Sequence, residues 1–238
     1  MGKYGKWIGG GLGWILGGPL GVLFGFAIGS VIDNISVKAI ESGKTTKGDF
    51  ALSLLALVAV VMKADGKILK SELNYVKDYF VRAFGEQQAK EMLILLRDIL
   101  KKDIDITAVT LQIKQNLDHS SKSQLVYFLI EVAKSDGEFH ANEKNVIEKI
   151  INLLGFNSYE RESLLAMFNS GDDNAYKILG VDKNATDEEI KKQYKKLAKE
   201  NHPDKVSYLG DEVKEKAKEK FQKIQIAYEQ IKKDRGFN

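Results

Sequence analysis

From Trp7 to Ile32 the chain runs 26 residues without a charge, and that stretch limits what the N-terminus can be. At 1.5 Å rise per residue a helix of this length crosses a hydrocarbon core of about 30 Å with some tilt. The reading is a transmembrane helix within residues 1–33. Gly13, Gly17, Gly21, Gly25 and Gly29 recur at every fourth position, which gathers them in a stripe where a second helix can approach closely. Gly17, Gly21 and Gly25 are the candidate contacts of a homodimer. A cleaved signal peptide is the alternative, with Ala27-Ile28-Gly29 as its processing site, although its apolar region ordinarily spans only about 7 to 15 residues. Lys3 and Lys6 on one flank and Lys38, Lys44 and Lys47 on the other leave orientation open.

Beyond the anchor the chain reads as all-α. It has two prolines, Pro19 and Pro203, and abundant Leu, Ile, Lys and Glu at helical spacing. With no cysteine, disulfides, thiolate metal sites and a thiol nucleophile are excluded. The 36 basic and 33 acidic residues nearly cancel, so there is no overall charge signal for nucleic acid, and an electrostatic partner must meet a local patch. His119, His140 and His202 lie far apart in sequence. No nucleophile–base pairing, phosphate loop or metal-ligand cluster is evident, so neither an enzyme nor a cofactor is expected.

Residues 34–48 form a polar linker, and a helical domain follows over 49–168. Phe50–Met62 is almost continuously apolar but too short to span a bilayer, which suits a buried core helix. A pattern then occurs twice. Ala64-Asp65-Gly66-Lys67-Ile68 with Glu72 is matched by Ser135-Asp136-Gly137-Glu138-Phe139 with Glu143, each pattern between two helices. Two related helix-turn-helix units are expected, joined by helices at about 88–102 and 106–118. Gly66 and Gly137 suit left-handed helix ends, and Ser71 and Asn142 suit the following N-caps. The spacing matches the second half of an EF-hand loop, but Val61, Lys63, Val132 and Lys134 stand where the first half needs oxygen ligands. Another carboxylate site built from Asp65, Glu72, Asp136 and Glu143 stays open beside plain capping roles. The repeated turns and the helix count resemble the TerB-like helical domain of tellurite-resistance proteins and membrane-bound J-proteins, a resemblance that implies a fold more than a function.

The C-terminal region, 172–238, opens with a short helix whose Ala175, Ile178 and Leu179 face inward and which stops at Gly180. Thr186 and Glu189 form a capping box for the next helix. Ile190, Tyr194, Leu197 and Ala198 mark its core side, leaving Lys191, Lys192, Lys195, Lys196 and Lys199 outside. Pro203 ends it, so His202-Pro203-Asp204 is expected in a loop. A third helix, about 211–232, carries a stripe of Val213, Ala217, Phe221, Ile224, Tyr228 and Ile231 that packs antiparallel on the second. A-Y-K-I-L-G-V, the basic helix ending in H-P-D-K, and F-Q-K-I-Q-I-A-Y-E-Q-I, in that order, resemble a J domain.

That resemblance implies a DnaK-type partner whose ATP hydrolysis is triggered by the loop. His202, Pro203 and Asp204 would form the trigger, and Lys191, Lys195 and Lys196 would meet an acidic surface. Tyr194 also matches a docking position, although its core-facing register favours packing. The whole arrangement resembles membrane-bound bacterial J-proteins, which implies a single-pass inner-membrane co-chaperone with its C-terminal domains in the cytoplasm. The alternative is a membrane stress or metal-resistance scaffold in which the TerB-like domain binds a cation or partner and the J domain recruits DnaK.

Overall fold

The computed structural model describes residues 19, 20, 23, 47–169 and 174–237. Among them all regular structure is helical, and no helix is long and apolar enough to cross a membrane. The span expected at the N-terminus, with Gly17, Gly21 and Gly25, lies outside the described residues. Of that segment only Pro19, Leu20 and Leu23 are described. Two units follow, one ending at Leu154 and one running Gly155–Asn238.

In the first unit the two most apolar helices lie at the centre. α1 (Lys47–Met62) is buried at every position from Phe50 to Met62, and α5 (His119–Ala133) is buried from Ser123 to Ile130. A helix apolar on all sides must be covered on all sides. α2 (Lys70–Phe84), α3 (Glu86–Leu100), α4 (Ile106–Asn116) and α6 (Ala141–Leu154) supply that cover with one apolar face each. Tyr79 of α2 packs on Phe128 of α5 with ring centroids 4.1 Å apart, and both side chains are fully buried. The order within each half is the same: central helix, glycine turn, amphipathic helix.

Gly66 and Gly137 adopt φ +70° and +94°, the left-handed conformation that the repeated turn needs. The caps differ from the sequence expectation. Ser71 and Asn142 lie within the first turns of α2 and α6, which begin at Lys70 and Ala141. Leu69 N–H donates to Oε2 of Glu72 at 2.9 Å, and His140 N–H donates to Oε2 of Glu143 at 3.3 Å. A glutamate three residues into a helix can reach back to the amide ahead of it whatever side chain stands there, so the repeat's glutamates do the capping.

The second unit contains α7 (Ser158–Ala166), α8 (Asn174–Leu179), α9 (Asp187–Glu200), a 3₁₀ turn (Pro203–Leu209) and α10 (Asp211–Arg235). Thr186 and Glu189 form the expected capping box on α9, with Thr186 N–H donating to Glu189 at 2.8 Å. The buried face of α10 is Val213, Ala217, Lys220, Ile224, Ala227 and Ile231. Phe221 and Tyr228, expected in that stripe, are half-buried at its edge. Arg235 closes the unit: its guanidinium donates to Tyr176 Oη at 3.0 Å, to the Ala185 carbonyl at 2.6 Å, to Asp187 Oδ1 at 3.2 Å and to the Lys183 carbonyl. This fixes α8 and the turn before α9 against the end of α10.

Candidate functional site

Pro203 ends α9 by removing an amide proton and fixing φ, and it starts a 3₁₀ turn at N1 instead of an irregular loop. His202 caps that turn: the Asp204 amide donates to His202 Nδ1 at 3.3 Å. The His202 ring meets Phe221 of α10 edge-on at 5.8 Å. Asp204 remains 69% exposed, with Lys214 Nζ at 3.4 Å from its Oδ1 and His202 Nδ1 at 3.6 Å from its Oδ2. The tripeptide is therefore oriented by α9 and α10 while its carboxylate still faces water.

Along α9, Lys195 and Lys196 are exposed and Lys191 is half-buried. Lys191 Nζ lies 5.0 Å over the ring of Phe237, which stands edge-on to Tyr228 at 6.2 Å, and Tyr228 stacks on Tyr194 at 4.0 Å and 6°. Tyr194 is thus a packing residue of the hairpin, and the aromatic column it starts ends beneath a lysine. Sequence reasoning missed Phe237 in this role.

The repeat's carboxylates form a second cluster, in the first unit. Glu72 and Glu143 are 2% and 3% exposed, and the Glu143 carboxyl hydrogen-bonds to Glu72. With both groups ionised, Oε1 of Glu72 has no donor; a proton on Glu143 supplies one to the pair. Burial, the Glu72 hydrogen bond and the Glu72 charge push Glu143 up to about 7, and burial raises Glu72 as well. Asp65 and Asp136, on the exposed glycine turns, add repulsion. Asp136 is already engaged, its Oδ1 accepting from the Glu138 amide at 3.0 Å and its Oδ2 facing His140 Nε2 at 3.3 Å. The His140 hydrogen bond to Asp136 holds that imidazole's pKa above its usual value.

Family models match three consecutive parts of the chain: the co-chaperone DjlA transmembrane domain over residues 1–49, the tellurite resistance protein TerB over 51–166, and the DnaJ domain over 174–235. Helical middle domain, hairpin with its histidine-proline-aspartate tip, and N-terminal match together define a membrane-anchored bacterial co-chaperone of the J-domain class. Co-chaperone protein DjlA of Vibrio vulnificus is 31% identical over 79% of this chain and 79% of its own. Co-chaperone protein DjlA of Photobacterium profundum is 26% identical over 98% and 99%, and that of Haemophilus influenzae 26% over 98% of each. The chain belongs to the co-chaperone DjlA family. No solved structure matches it.

Proposed function

We propose that this protein docks a DnaK-type chaperone through its His202-Pro203-Asp204 tip and the basic side of α9, and switches on that partner's ATP hydrolysis, having no catalytic centre of its own. The observation that carries the reading is the exposed Asp204 carboxylate on a proline-fixed turn, braced by His202 on Phe221, at the end of a lysine-bearing helix. Lys191, Lys195 and Lys196 are the basic contacts. The test is single-turnover ATP hydrolysis by the chaperone with and without the full-length protein in detergent.

The domains are a membrane anchor at 1–33, a linker at 34–48, the TerB-like domain at 49–168 and the J domain at 172–238. Because the partner and its ATP are cytosolic, the C-terminal domains lie in the cytoplasm, and the short stub with Lys3 and Lys6 crosses to the other side. Gly17, Gly21 and Gly25 pair two anchors, since small residues let backbones approach and gain packing that lipid does not replace. Protease added to intact spheroplasts is expected to spare the J domain. Replacing the three glycines with leucine is expected to preserve insertion and reduce crosslinked dimer several-fold. Digestion of the J domain, or an undiminished dimer, overturns the corresponding part.

The unpaired buried oxygen of Glu72 favours a second reading, in which a cation replaces the proton between Glu72 and Glu143 and the TerB-like domain serves as a stress or metal-resistance scaffold. In the metal-free protein the native state keeps the Glu143 proton up to about pH 7, whereas a free glutamate loses it near 4.5. Between those values the folded chain binds more protons than the unfolded one, so stability falls as pH rises and the loss is complete above about pH 7. Acidifying from pH 8 to 5.5 is expected to stabilise the domain by about 2 kcal/mol, which is about 8 °C in Tm, and Glu143→Gln to flatten the dependence. Calcium, magnesium or manganese, each added alone at pH 8, raises the wild-type Tm but not the variant's if the second reading holds. No cation effect overturns the second reading, and a Tm that rises from pH 5.5 to 8 overturns the shared proton.

A further inference from the structure

Helix α7 falls within the stretch matched by the tellurite-resistance family, residues 51–166, yet it packs in the unit that contains the J domain. Ser163, buried, donates from Oγ to the Ile178 carbonyl of α8 at 2.5 Å. Lys223 of α10 donates to the Met167 carbonyl at 3.0 Å and lies 4.2 Å over the Phe168 ring. The approach is closest at Gly180, whose φ is +63° and where a Cβ would stand 3.3 Å from the Tyr159 carbonyl oxygen. The backbone of Tyr159 is thereby fixed beside the turn that leads into α9. Its side chain is 61% exposed.

A single exposed aromatic is ordinary, but this one lines a groove of about 700 Å³ together with Val181, Asp182, Ala185 and, from α9, Glu189, Lys192 and Lys196. The acids at the groove are engaged locally. Asp182 Oδ1 accepts from the Asn184 amide at 2.7 Å, and Glu189 closes the capping box. Both acids are nevertheless exposed, so the groove carries charges of both signs, and its link to the basic side of α9 is Lys196, which belongs to both. An exposed aromatic side chain on a fixed backbone, at the edge of a groove shared with the basic side of α9, is the composition of an interface anchor.

We propose that Tyr159 and this groove extend the chaperone-docking surface: an acidic segment of the partner that meets α9 continues across Lys196 and Lys192 and rests an apolar side chain on the Tyr159 ring. The inference builds on the docking reading above and adds to it a contact from a helix that precedes the J domain. It also gives the last helix of the TerB match a role in recruitment.

The test uses the full-length protein in detergent, with affinity for the DnaK-type chaperone and single-turnover hydrolysis measured separately. Tyr159→Ala is expected to raise Kd about tenfold, mainly through faster dissociation, leaving the hydrolysis rate at saturation and the Tm unchanged. Tyr159→Phe, which keeps the ring, is expected to stay within about twofold of wild type. An unchanged Kd for Tyr159→Ala overturns this inference alone, because wild-type stimulation would still stand. A Kd change matched by a fall in Tm makes Tyr159 a packing residue and also overturns it. Loss of self-association with unchanged chaperone affinity assigns the groove to a second copy and overturns it too. A wild-type protein that fails to stimulate hydrolysis removes the reading on which the inference rests.

Discussion

Asp204→Asn is expected to weaken productive engagement of a DnaK-type ATPase by about 2 kcal/mol or more, roughly thirtyfold, and to bring hydrolysis at limiting protein close to the partner's unstimulated rate. The asparagine keeps the shape of the side chain and removes its charge, so a cation on the partner would be left desolvated without its counterion. His202→Gln is expected to act in the same direction for a different reason. It removes the ring that stands on Phe221 and the Nδ1 acceptor that caps the 3₁₀ turn, so Asp204 loses its fixed direction. Neither change should affect far-UV circular dichroism, because both side chains are more than half exposed and losing one cap costs on the order of 1 kcal/mol. Hydrolysis stimulated equally by wild type and by both variants would remove the tip from the mechanism.

The site was legible in the sequence because its determinants are local. Proline stops a helix, a threonine with a glutamate three residues on starts one, and apolar residues three and four apart face one side; each signal around His202 was of this kind. What escaped depended on tertiary packing. Asn157 and Glu160 make a second capping box, with the Glu160 amide donating to Asn157 at 3.0 Å. That signal announces a helix at Ser158, but the sequence does not say that the helix packs on α8. Lys220 occupies a core position of α10 at the right spacing, yet its charge argues for water. Burial pushes its ammonium down to about 7 against the opposing pull of Glu160 and Glu200. The repeat glutamates show the same limit: each is locally a helix cap, and only the fold brings the two together.

The second large effect should come from charge alone. Reversing Lys191, Lys195 and Lys196 to glutamate is expected to lower the association rate with the DnaK-type chaperone about a hundredfold at low salt, with a much smaller change in dissociation. Charges along α9 act on an approaching acidic surface before contact, and that action decays over a Debye length of about 10 Å at 0.1 M salt and 3 Å at 1 M. Raising salt should therefore slow the wild type towards the variant, while the variant responds weakly or in the opposite sense. Lys191 is the least innocent of the three, since losing its place over Phe237 costs about 0.5–1 kcal/mol of local packing. Reversing Lys195 and Lys196 alone, both exposed, should therefore retain most of the effect. Net charge is separated from placement by reversing Lys70, Lys144 and Lys149, which are exposed on α2 and α6. This set changes the overall charge by the same amount, and if the docking surface is α9 it should leave association nearly unaltered. Equal slowing by both sets would mean that the chaperone senses the protein's total charge, and an association rate indifferent to both would make the α9 lysines a solvated face.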